Sequence, residues 1–76
     1  MKATEYLVTV KQGETVLKQS KLSEQEAFRV LRGVIVAGYA DTSSAEIALM
    51  TVTAKLKDGK AQAIEFMGNC IIFQMA

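Results

Sequence analysis

The sequence predicts an α+β protein in which one α-helix packs on a four- or five-stranded antiparallel sheet, with the chain order β-β-α-β-β-β. Residues 23–39 form an amphipathic pattern bounded by helix start and stop signals. The segments on either side are rich in β-branched and aromatic residues and are separated by turn-forming pairs. Because the chain has only 76 residues and no linker, we expect a single compact domain over residues 1–76.

The predicted helix runs from Ser23 to Tyr39. Ser23 and Glu26 have the spacing of a capping box, in which the serine hydroxyl accepts a hydrogen bond from the Glu26 backbone N–H. Gly38 is a suitable end, since glycine tolerates the backbone geometry of a helix terminus. Residues at helical spacing predict a buried face made of Ala27, Phe28, Val30, Leu31, Val34, Ile35 and Tyr39.

The opposite face of this helix is a candidate surface for a protein partner. It carries Arg29, Arg32, Gly33 and Val36. Val36 is an apolar residue on an otherwise polar side, and Gly33 with Ala37 forms a ridge of small residues that another backbone could approach closely. Ordinary tolerance of apolar surface residues explains the same pattern, so both interpretations stay open.

The strand before the helix and its partner form a predicted hairpin. Glu5–Lys11 is followed by the turn pair Gln12-Gly13, and Thr15–Ser20 returns. A polar loop is expected over residues 40–44, because it consists mostly of turn-forming residues.

A second hairpin is predicted after this loop. Residues 50–57 alternate apolar and polar side chains, which is typical of a half-buried strand. Asp58-Gly59 favours a tight turn into a return strand over residues 60–67. Residues 45–49 also contain helix formers, so helix and strand both remain open for them.

The C-terminal segment is nearly all apolar from Cys70 to Met75, as in strands that are covered on both faces. One helix cannot cover both faces of a sheet. We therefore predict a homodimer that is sealed either by this strand, through Ile71, Ile72 and Phe73, or by the uncovered sheet face. The alternative is that the same surface joins a larger structural assembly heterologously.

The composition argues against an enzyme. Histidine is absent, which removes histidine bases, nucleophile pairs and metal ligands. Cys70 lies in an apolar strand and is interpreted as structural, and Glu65 as a rim carboxylate or a partly buried one. No glycine-rich phosphate loop is present. We therefore predict no catalytic residue, no cofactor and no metal site.

The basic residues give the main alternative function. Lys55, Lys57 and Lys60 surround the predicted Asp58-Gly59 turn and could bind nucleic acid weakly. A protein that binds nucleic acid on a β-sheet also needs exposed aromatic side chains for base stacking. Here Tyr6, Phe66 and Phe73 are expected in the core instead. The formal net charge of +1 adds no general attraction to nucleic acid.

These observations favour a small non-enzymatic protein-binding module. Chains of this size without histidine are frequent among phage and mobile-element accessory proteins, so an inhibitor of a host protein complex is our specific expectation. The partner's identity is not encoded in any motif. One cysteine, no expected secretory leader and no apolar run of ~20 residues predict a cytoplasmic protein without membrane contact.

Overall fold

The computed structural model describes residues 4–76 as a four-stranded sheet with two helices on one of its faces. All strand pairs are antiparallel, in the order β2-β1-β4-β3. The predicted α+β class and four-stranded antiparallel sheet are confirmed, but the chain order is β-β-α-α-β-β. The elements are β1 (Glu5–Gln12), β2 (Thr15–Ser23), α1 (Glu24–Ala37), α2 (Thr42–Lys57), β3 (Gln62–Phe66) and β4 (Asn69–Met75).

The start and end of α1 are as predicted. The Ser23 hydroxyl accepts from the Glu26 backbone N–H at 3.2 Å and donates to the Glu26 carboxylate at 3.0 Å. Gly38 is the C-cap residue. Phe28 is half-buried, whereas Val30 and Tyr39 are exposed, so these last two were wrongly assigned to the core. The buried residues of the helix are Ala27, Leu31, Val34 and Ile35.

Residues 42–57 form α2, so the predicted strand over residues 50–57 is wrong and the open choice for residues 45–49 is decided as helix. Of the predicted polar loop, only residues 40 and 41 lie outside the helix. Asp41 caps this helix by accepting from the Ser44 N–H at 2.8 Å and from the Ser44 hydroxyl at 3.0 Å. Val52 and Leu56 are four residues apart and share a face in a helix as well as in a strand. The alternating pattern therefore fitted both periods, and the cap together with packing against α1 favours the helix.

Asp58 and Gly59 end α2 and do not close a hairpin. The Gly59 N–H donates to the Leu56 carbonyl and the Lys60 N–H donates to the Lys55 carbonyl, both at 3.0 Å. These two bonds define a Schellman motif, which requires a left-handed residue such as Gly59, whose φ is +86°. An Asp-Gly pair suits both a hairpin turn and this helix end.

Two-residue turns close the two hairpins that do form. Gly13-Glu14 joins β1 to β2, one residue later than predicted. Met67-Gly68 joins β3 to β4. The register shifts between Val10 and Lys11, so β2 carries one extra residue there as a β-bulge.

The core lies between the two helices and one face of the sheet. Tyr6 and Val8 of β1 and Ile71 and Phe73 of β4 are buried there among the helix residues. Because β4 pairs with β1 on one side and with β3 on the other, it has no free edge. Ile71 and Phe73 face this chain's own helices, which corrects their assignment to a dimer seam, while Ile72 lies on the other face.

Two glycines give opposite predictions for stability. A Cβ added at Gly33 or at Gly59 would meet no atom within 4 Å, so the two sites differ only in backbone conformation. Gly33→Ala should stabilise the protein by about 1 kcal/mol because alanine favours an exposed helix interior. Gly59→Ala should destabilise it by about 1 kcal/mol, since its φ is left-handed. Urea unfolding of the two variants measures both signs, and equal effects would contradict this assignment.

The cap of α2 gives a pH prediction. Its hydrogen bonds to Ser44 lower the pKa of the Asp41 carboxyl below the ordinary value of 3.8. The carboxylate's contribution to stability is therefore complete above that value and is lost as the pH falls through the lowered folded-state pKa. Asp41→Asn keeps a cap acceptor that does not titrate.

Urea unfolding across this acid range should show wild type losing stability relative to Asp41→Asn. A difference between the two proteins that does not change with pH would show that the Asp41 charge contributes nothing to the cap.

Candidate protein-binding surface

The side of the helix layer that faces away from the sheet carries both charged and apolar side chains. We call it the outer helix surface, and define it by Arg29, Arg32 and Val36 of α1 with Ile47 and Met50 of α2. All five are exposed. Three belong to the surface predicted from the sequence, and the two α2 residues were missed because that segment was interpreted as loop and strand.

The apolar part of the outer helix surface is a stripe along α2. Ile47 is 67% exposed and Met50 is 70% exposed, and side chains three residues apart on a helix are neighbours. Ala54, one turn further, is also exposed. The opposite side of the same helix buries Ala45 and Leu56. Thus α2 carries apolar side chains on both sides, but only the side with Ala45 and Leu56 is buried in the core.

An ion pair crosses the outer helix surface between the helices. The Arg32 guanidinium donates to the Glu46 carboxylate at 2.7 Å. Both side chains are largely exposed, and such surface pairs stabilise a protein by about 0–1 kcal/mol. Arg29, by contrast, makes no ion pair within residues 4–76, so its charge is available to a partner's carboxylate.

The apolar surface extends to the end of α1. Val36 and Tyr39 are each 47% exposed. They form one wall of a shallow concavity of about 210 Å³ beside the start of α2. Its other lining residues are Ala40, Asp41, Thr42 and Ala45.

The small-residue ridge of α1 is open to solvent. Gly33 and Ala37 are exposed, and the space beside Gly33 is empty. Next to this flank lies a groove of about 280 Å³ between α1 and β2. The groove exists because β2 extends beyond the width that the helices cover. It is lined by Val8, Val10, Lys18, Ser20, Leu22 and Val30.

The three lysines of the predicted nucleic-acid site lie at the C-terminal end of α2 and not at a hairpin tip. Positive charge there is favoured by the helix dipole. The Lys57 ammonium lies 3.9 Å from the Glu24 carboxylate and 5.7 Å from the centre of the Phe28 ring. Lys60 lies 3.6 Å from Asp58. Only Lys55 of the three lacks an ion pair among the described residues.

The aromatic residues do not form an exposed stacking platform next to these lysines. Tyr6 and Phe73 are buried, and Phe66 is half-buried. The Tyr6 ring packs against Phe28 with centroids 5.2 Å apart. Burial, and then the charge of Glu24, raises the pKa of the Tyr6 hydroxyl, so Tyr6 stays neutral at physiological pH.

The side chains with chemical reactivity are dispersed. Cys70 is half-buried in β4 and pairs in register with Lys11 on one side and Glu65 on the other. Within residues 4–76, no group of three acidic or cysteine side chains is close enough to hold a metal ion. Neither described helix is long and apolar enough to cross a membrane.

The second half of the candidate surface had a readable signal in the sequence. Asp41 followed by Ser44 is an N-cap spacing, and Ala45, Leu49, Val52 and Leu56 then recur at helical intervals. A helix with that period places Ile47 and Met50 on the solvent side.

The chain matches no protein-family model, no curated protein and no solved structure. A proposal for its function therefore rests on its own residues and their geometry.

Proposed function

We propose that this chain is a small non-enzymatic protein-binding module that contacts a partner protein through the outer helix surface. The observation that carries this proposal is the exposure of Ile47 and Met50, side by side on one helix. Fully burying a side chain of this size contributes about 1.5–3 kcal/mol. A partner that covers both would gain a substantial part of a binding free energy from two residues.

The charges around this stripe indicate the partner's chemistry. Protein interfaces commonly combine an apolar centre with arginine and methionine and a polar rim. Here Arg29 supplies a cation that has no ion pair in residues 4–76, while Arg32 is held by Glu46. The matching partner surface is an apolar depression with a carboxylate at its edge.

A phage or mobile-element accessory protein that inhibits a host complex is one form that such a module takes. Small size and a contact surface without catalytic groups suit a protein that acts by occupying a site. The partner's identity, and a cytoplasmic location, stay proposals with it.

The experiment removes the stripe without disturbing the core. Ile47→Ser with Met50→Ser should lower capture of the partner by about tenfold or more, since two central apolar contacts are lost. The matched control is Leu17→Ser with Met67→Ser, which removes two other exposed apolar side chains, 52% and 86% exposed, from the first hairpin and the β3–β4 turn. Capture from an extract of the source cells, quantified by mass spectrometry with untagged wild type as competitor, gives the readout.

Both variants should unfold at the wild-type urea concentration, which separates lost binding from lost structure. If the control and the stripe variant capture the same proteins in the same amounts, the outer helix surface is not the contact.

Binding to nucleic acid remains the alternative function, and no contact in the structure favours it. Replacing Lys55, Lys57 and Lys60 together by Gln should leave retention on immobilised DNA and RNA unchanged and low, because two of these lysines already face carboxylates. Retention that falls steeply with salt and disappears in the triple variant would support nucleic-acid binding instead.

A further inference from the structure

Strand β2 forms one edge of the sheet, and no element within residues 4–76 pairs with its outer side. It is the longer of the two edge strands, with nine residues against five in β3. An unpaired edge presents backbone N–H and C=O groups that can bond an added strand. The outer edge of β2 therefore has the backbone chemistry to bind an extended segment of another chain.

A hydrogen bond at the end of β1 shows which backbone groups of β2 point outward. The Glu24 N–H donates to the Thr4 carbonyl at 3.2 Å, so these two residues form a hydrogen-bonded pair. Bonded and non-bonded pairs alternate along an antiparallel ladder. Within the regular part of the register, every second residue counted back from Leu22 therefore bonds to β1. The N–H and C=O groups of Gln19 and Lys21 point away from β1.

The groove between α1 and β2 runs beside this edge and is mostly apolar. Val8, Val10 and Leu22 of the two strands and Val30 of α1 are among its lining residues. All of its lining residues belong to β1, β2 and α1, so its outer side is open. A strand added about 4.8 Å beyond β2 supplies the missing side, and its side chains on the helix face can enter the groove.

Charge determines which kind of strand suits this edge. Lys18 lies in the groove, and Lys21 lies on the opposite face of β2, opposite Leu7. Neither lysine forms an ion pair within residues 4–76, not even Lys21 with Glu5 on the same face. Residues 17–22 contain no carboxylate. Two β2 strands side by side collect four lysines in one ladder, which disfavours a second copy, whereas an acidic segment pairs with them.

We propose that the outer edge of β2 binds an extended, acidic segment of another protein as a fifth strand of the sheet. Main-chain hydrogen bonds to Gln19 and Lys21 hold the segment, and apolar side chains on its helix face fill the groove, as in other cases of strand addition. Its carboxylates pair with Lys18 and Lys21. The site lies at the side of the sheet and does not depend on the outer helix surface.

The alternation of side chains along β2 sets the sequence of the bound segment. In an antiparallel arrangement, as in every ladder of this sheet, five successive segment residues lie opposite Leu22, Lys21, Ser20, Gln19 and Lys18. The first and third face the groove and are apolar. The second pairs with Lys21 and the fifth with Lys18. The expected pattern is therefore apolar, acidic, apolar, any residue, acidic.

A displayed library of random twelve-residue peptides tests this site. Selection on the immobilised protein should enrich peptides with the expected pattern, and a synthetic peptide of the enriched sequence then serves as the probe. Lys18→Glu with Lys21→Glu should raise its dissociation constant at least about tenfold, because both of its carboxylates then meet like charges. Isothermal titration calorimetry measures the dissociation constant, and urea unfolding checks that the variant folds.

The matched control makes the same change of charge on the helices. Arg29→Glu with Lys55→Glu reverses two exposed cations that have no ion pair in the described residues, and it should leave the dissociation constant within about twofold of wild type. A selection that enriches no peptides, or only peptides without the expected pattern, would overturn the proposal. So would equal affinities of the two double variants for the peptide.

Amide hydrogen exchange identifies the backbone contact. The amides of Gln19 and Lys21 should exchange at least about tenfold more slowly when the peptide is bound, since they then donate to its carbonyls. The amides of β3, the other edge strand, should not change. Peptide binding without protection of Gln19 and Lys21, or with equal protection along β3, would show that the peptide does not extend the sheet at β2.

Discussion

The pairing of β1 with β4 is the interaction on which the rest of the structure depends. It joins the two ends of the chain in the centre of the sheet, over six residue pairs from Tyr6–Met75 to Lys11–Cys70. A further bond from the Ala76 N–H to the Glu5 carbonyl, at 2.9 Å, extends the ladder. Tyr6 and Phe73 on these strands are among the largest fully buried side chains. The two paired strands therefore also form the sheet side of the core.

One-sided coverage of this sheet explains where the exposed apolar surface is found. Both helices pack on the same face, and the hairpin between β1 and β2 extends past them. What remains uncovered is the face of the sheet turned away from the helices, the groove beside β2 and the solvent side of α2. The first two follow from one geometric fact, namely that two helices on one side cover only part of a sheet with two faces. The solvent side of α2 is exposed because no described element packs outside the helices.

Electrostatics has a secondary role within the chain. Lys57 is held between Glu24 and the Phe28 ring and so links the end of α2 to the start of α1. The pair between Arg32 and Glu46 joins the same helices further along. Both are exposed and individually weak. The charges that remain without a partner in the described residues, such as Arg29, Lys11 and Glu65, are therefore those with most to contribute to a complex.

The sequence by itself determined what depends on neighbouring residues. Ser23 and Glu26 specified the start of α1, Gly38 specified its end, and the apolar run from Cys70 to Met75 indicated a strand. Local sequence could not decide where one pattern is compatible with two different structures. Asp58-Gly59 suits a hairpin and a helix end equally, and residues 50–57 fit both periods, so α2 and its exposed Ile47 and Met50 were missed. Only the tertiary structure decided these points, together with the central position of β4, because pairing between strands far apart in sequence and packing of α2 against α1 are set by contacts that no local pattern contains.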